Sequence, residues 1–100
     1  MSLRIHPGAR ADQKHHFKYL QQAGVAPLTL QKLVDAIREA KKKIRENPAT
    51  WNFVPGSKRV RRVQIANFRI QVVYTILPDG DPLILEIVGP GFEPRWRERL

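Results

Sequence analysis

The hydrophobic period of this chain changes once, across residues 48–57, from helical to strand-like. Before the change, Leu30, Leu33, Val34, Ile37 and Ile44 fall on one helical stripe, with Ala40 between them. Gln31, Asp35, Arg38, Lys42 and Arg45 take the opposite face. That pattern predicts an amphipathic helix with its apolar stripe in the core. Pro27 and Thr29 mark its start, with Thr29 as N-cap, and Asn47-Pro48 ends it. After the change the alternation is by twos, over Arg61 to Ile65 and again from Phe68 to Leu77. Pro78-Asp79-Gly80-Asp81 reads as a turn, and Leu83 to Val88 as an apolar strand interrupted by Glu86.

Two weaker elements precede the long helix. Leu3 to Ile5 reads as a short first strand, interrupted by Pro7 and Gly8. Ala9 to Ala23 reads as a helix, with Gly24 as its stop. The predicted order is β-α-α-β-β-β in an α+β fold. Short turns make the last three strands antiparallel. Two consecutive helices form a hairpin that covers one face of this mainly antiparallel sheet and leaves the other partly open. In the strand from Phe68, alternation puts Phe68, Ile70, Val72, Tyr74 and Ile76 in the core. It puts Arg69, Gln71, Val73, Thr75 and Leu77 on the open face, and a one-residue slip would exchange the two sets. The segment with Trp51 and Phe53 is a packed loop, and the tail from Phe92 to Leu100 is aromatic and basic.

One hundred residues set a single domain over 1–100, and 42% hydrophobic content gives it a core to bury. The chain has no cysteine, which excludes a disulfide scaffold, a thiolate zinc site and a cysteine nucleophile. No apolar run approaches the ~18 residues a membrane span needs, and MSLRIHPGAR lacks the apolar stretch of a secretory signal. A cytoplasmic location is the expectation. Lys and Arg number 18 against 9 Asp and Glu, a formal charge of +9 that asks for an anionic partner. The excess sits in three clusters. Lys41 to Arg45 reads as ordinary solvation of a helix C-terminus. Lys58, Arg59, Arg61 and Arg62, and then Arg95, Arg97 and Arg99, flank the predicted open face.

Three pieces of the chain resemble the RelE/ParE superfamily, the toxin halves of bacterial type II toxin–antitoxin pairs. His6-Pro7-Gly8-Ala9-Arg10-Ala11-Asp12 is similar to the family's strand-to-helix junction, with its small residue and acid. The stretch from Val60 to Tyr74 resembles the family's hairpin, a basic strand followed by an aromatic-Arg-aliphatic strand ending in Tyr. Leu83 to Gly89, followed by Glu93-Pro94-Arg95-Trp96-Arg97-Glu98-Arg99, looks like the apolar last strand and Pro-x-Trp-x-x-Arg tail of ParE-like members. The resemblance implies one of two activities: ribosome-dependent cleavage of messenger RNA, as in RelE-like members, or poisoning of DNA gyrase, as in ParE-like ones. Either implies a cognate acidic antitoxin and a toxin–antitoxin hetero-oligomer. An antitoxin matched to +9 binds in a salt-dependent way.

RNA cleavage at the 2′-OH needs a base, cations for the charged phosphorane and an acid for the leaving oxygen. By the resemblance Arg69 matches the hairpin arginine, with Arg95, Lys58 and Arg61 as its partners if the chain is a ribonuclease. Arg59, Arg62, Trp96, Arg97 and Arg99 are candidates for contact with a target or nucleic acid. The base is missing: Trp96 cannot exchange protons, and His6, His15 and His16 all precede the long helix. This favours the ParE-like branch. Plain structural readings stand beside these. Trp96 serves as a packing lid, and His15-His16, adjacent on a helix, point about 100° apart and do not share a metal. Asp79-Gly80-Asp81 is a turn, since no calcium-ligand array follows it. No metal or cofactor is called for.

Overall fold

A computed structural model describes residues 2–90 and 93–100. Gly91 and Phe92, the expected end of the last strand and start of the tail, lie outside the described residues. The elements follow the predicted order: β1 (Arg4–Ile5), α1 (Pro7–Gln22), α2 (Pro27–Glu46), β2 (Val60–Ile65), β3 (Ile70–Ile76) and β4 (Pro82–Val88). The sheet order is β1-β4-β3-β2, with β1 parallel to β4 and the other two pairs antiparallel. The result is a small α+β fold with a four-stranded mixed sheet.

The start of α1 and the cap of α2 differ from expectation for one reason. Proline has no N–H, and the first helical position needs none, so proline opens a helix there at no cost. Pro7 follows the end of β1, as expected, and also begins α1, two residues before Ala9; the Nδ1 of His6 caps it by accepting from the Gly8 N–H at 2.9 Å. Pro27 begins α2, so Thr29 lies inside the helix and is not the cap. The strand expected from Phe68 begins at Ile70. Ala66–Phe68 form a 3-10 turn, and Arg69 has a left-handed backbone with φ 53°.

The long helix buries the predicted stripe: Leu33, Ile37, Ala40 and Ile44 are 0–3% exposed. They pack with Val63, Ile65, Ile70, Val72, Tyr74, Ile84 and Ile87 from the sheet. The face assignment from alternation holds for Ile70, Val72 and Tyr74. The opposite face is less open than expected. Val54 from the loop and Trp96 from the tail close over Val60, Val73 and Leu85 to form a second, smaller cluster. Val72 to Thr75 are consequently buried in succession, which a strand shows when both its faces are covered. A register shift against β4 between Val73 and Tyr74 helps place these neighbours.

Beyond the two residues of β1, the outer edge of β4 is met by side chains rather than by a strand. Gly8, Asp12 and His16 are spaced by four and share one face of α1. Asp12 accepts the Ile87 N–H at 3.2 Å, and His16 Nε2–H donates to the Ile87 carbonyl at 2.8 Å. Arg99 completes the edge, donating to the Leu85 carbonyl at 2.9 Å and to Asp12 at 2.6 Å. The hairpin turn is as read: Leu77 N–H to Asp81 carbonyl at 2.8 Å, with Gly80 at φ 92°.

Candidate functional site: an arginine-lined groove

The half-covered sheet face holds a cavity of about 520 Å³, the place where most of the predicted open-face residues meet. Three strands and the tail build it. Pairing of Arg62 with Val73 turns the Arg62 side chain, with Gln64, away from the helices. Gln71 of β3 points to the same side. Arg69 stands just before β3, aimed by its left-handed backbone, and Trp96 and Arg97 form the wall contributed by the tail. Arg62, Arg69, Gln71, Val73, Trp96 and Arg97 all line the cavity. Trp96 is 8% exposed and serves as the packing lid expected of it. The Arg97 guanidinium lies 4.6 Å from the Trp96 ring centroid, a cation–π contact that fixes one cation at the rim.

Three guanidiniums border this space, and the described residues that line it include no acid. Like charges gathered on one surface repel one another, weakly where water screens them. A left-handed backbone at a non-glycine residue adds strain of roughly 1–3 kcal/mol. An anionic surface seated in the groove relieves the repulsion.

Proton-exchanging groups lie elsewhere. Tyr74 faces the helix side, donates its hydroxyl to the Pro48 carbonyl and is fully buried. Burial pushes its phenol up to about 12, against a smaller opposing effect of the Arg61 charge. His6 caps α1, His16 holds the β4 edge, and His15 lines a second cavity of about 410 Å³ between α1 and the tail. Among the described residues no group of three or more His, Cys, Asp or Glu is placed to hold a metal ion.

The other candidates are dispersed. Arg61 points to the helix side, 4.0 Å over the Phe53 ring, and donates to the Trp51 carbonyl at 2.6 Å. It pins the packed loop. Lys58 and Arg59 are exposed in the turn before β2, where Ser57 Oγ accepts the N–H groups of Arg59 and Val60. Arg95 borders the second cavity. The Arg99 side chain is only 12% exposed in its ion pair with Asp12, and that hydrogen bond raises its pKa further. Of the nine candidates, Arg62, Arg69, Trp96 and Arg97 come together. Gln71 joins them, a residue alternation had placed on this face without giving it a role. Asp12 and Glu86 were not among the candidates. The signal for Glu86 was available, an acid inside an otherwise apolar strand.

The β-α-α-β-β-β fold thus carries, on its half-covered sheet face, a groove bordered by three guanidiniums. The sequence matches, over residues 3–89, the family described as ParE toxin of type II toxin-antitoxin system, parDE, and the chain belongs to that family. No individual curated protein matches it. Membership implies a cognate antitoxin. The match includes Arg62, Arg69 and Gln71, while the tail that supplies Trp96 and Arg97 follows it. No helix among the described residues is long and apolar enough to cross a membrane.

Proposed function

We propose that this toxin arrests growth by poisoning DNA gyrase in the cytoplasm, that it contacts its target through the arginine-lined groove, and that an acidic antitoxin neutralises it. One observation carries the reading: the groove gathers permanent cations and an aromatic wall, while the groups able to exchange protons stand elsewhere in the fold. Guanidiniums bind and orient anions but do not act as bases near neutral pH. The arrangement therefore favours capture of a surface over turnover. Ribosome-dependent cleavage of messenger RNA is the competing activity, and it needs Arg69, Arg95, Lys58 and Arg61 at one phosphate.

The test uses purified toxin with gyrase and relaxed plasmid. Loss of supercoiling together with trapped cleaved DNA supports the reading. Unimpaired supercoiling at excess toxin, with new cuts in ribosome-bound message by primer extension, would replace it with the nuclease.

A further inference from the structure

Glu86 is the one carboxylate in β4, and it is 3% exposed. Its Oε2 accepts the backbone N–H of Arg95 at 2.6 Å, and the Trp96 N–H also bears on it. Oε1 is buried with no hydrogen-bond partner among the described residues. The carboxyl thus sits directly beneath the tail segment, residues 93–100, that supplies Trp96 and Arg97 to the groove.

The groups around it are uneven. From α1 come Asp12, with His15 and His16 on the same cavity; from the tail come Glu93, Arg95 and Arg99, while Glu98 is exposed and acts on Arg99. Across the sheet its neighbour is Val73, which is apolar. The Arg99 charge acts on it, but both terminal nitrogens of Arg99 already donate to Asp12, at 2.6 and 3.2 Å, and one of them also to the Leu85 carbonyl. Two carboxyls therefore share one cation that is geometrically committed to Asp12. A buried carboxylate with one oxygen unpaired is far costlier than the neutral acid in the same place.

We propose that Glu86 is a positioning residue and a protonation-controlled latch: as the neutral acid it holds the tail down, and as the carboxylate it lets the Trp96–Arg97 wall of the groove loosen. This rests on the reading of the groove as the contact face, and it names how that face is regulated. Burial first, and the Asp12 charge in addition, raise the Glu86 pKa, opposed by the Arg95 N–H and by Arg99. The docked tail thus binds a proton more tightly than the released one. Docking is strongest below the ordinary carboxylate value and weakens as pH rises through the raised one.

The experiment reads Trp96 alone, in a full-length Trp51→Phe background, by tryptophan emission from about pH 4 to about pH 9. The latch predicts a red shift as pH rises, absent in Glu86→Gln, whose emission stays blue throughout. Asp12→Asn removes the like charge and frees Arg99, so it moves the midpoint to lower pH; this arm decides if Glu86→Gln does not fold. A flat wild-type profile, an unchanged transition in Glu86→Gln, or one abolished only by His15→Gln or His16→Gln overturns the latch. The titration uses toxin alone, with gyrase trapping run separately on the same preparations. A transition that survives Glu86→Gln sinks the latch and leaves the gyrase reading standing. A working latch in a protein that does not trap gyrase sinks that reading alone.

Discussion

Tyr74 and Gly89 show how single positions fit the helices to this sheet. The Tyr74 hydroxyl ties the buried strand to the Pro48 carbonyl at the end of the long helix. Tyr74→Phe leaves that carbonyl unpaired, and urea melts should show a loss of about 1–2 kcal/mol. The same bond has a pH signature. Because burial lifts the folded phenol to about 12 from 10.0, the unfolded chain loses its proton first. Stability is intact below about pH 10 and falls by about 1.4 kcal/mol per pH unit up to about pH 12. The difference between wild type and Tyr74→Phe in melts at those pH values isolates the effect. At Gly89 an added Cβ would stand 2.6 Å from Cε1 of His16. That ring is anchored on the Ile87 carbonyl and cannot swing away freely. Gly89→Ala should therefore destabilise by about 1–3 kcal/mol. A neutral result would mean the α1–β4 junction is looser than its hydrogen bonds imply.

At the scale of elements, α2 was the most legible part of the sequence, because its apolar residues repeat over several turns and one misread position cannot erase the stripe. Leu33→Ala should cost about 2–4 kcal/mol, since Leu33 is 1% exposed. Arg38→Ala, on the solvent face, should change stability by less than about 0.5 kcal/mol. Equal effects in denaturant melts would reverse the assignment of faces. The start of α1 was placed two residues late, at Ala9, and the cap of α2 at Thr29, because proline both ends a strand and opens a helix at its first position; residue type alone does not separate the two roles. In the groove, alternation along a strand placed Arg69, Gln71 and Val73 on one face in advance. It did not separate Arg61 from Arg62, which are adjacent in a basic run and end on opposite faces by register alone. The left-handed backbone at Arg69 and the 3-10 turn before it left no trace in residue type. The tail carries no period, so nothing in it distinguished Trp96 and Arg97 at the groove from Arg99 clamped on Asp12.

At the scale of the whole molecule, a charge of +9 resolves into residues with different tasks. Arg61 pins a loop, Arg99 staples the tail to α1, and Arg62, Arg69 and Arg97 border the groove. A toxin–antitoxin complex built on this surface should weaken by at least tenfold in Kd between about 50 mM and about 500 mM salt. Isothermal titration at the two concentrations measures it, and an unchanged constant would remove charge from the account of neutralisation. The central claim is that the groove is the contact face of a gyrase poison, and it is tested most directly by counting trapped cleavage complexes. Wild-type toxin and Arg69→Ala are each incubated with gyrase and supercoiled plasmid, and linear DNA is measured after denaturation. The account predicts linear DNA with wild type and at least a tenfold loss with a folded Arg69→Ala protein. Equal trapping by the two proteins, or none by either, would contradict it.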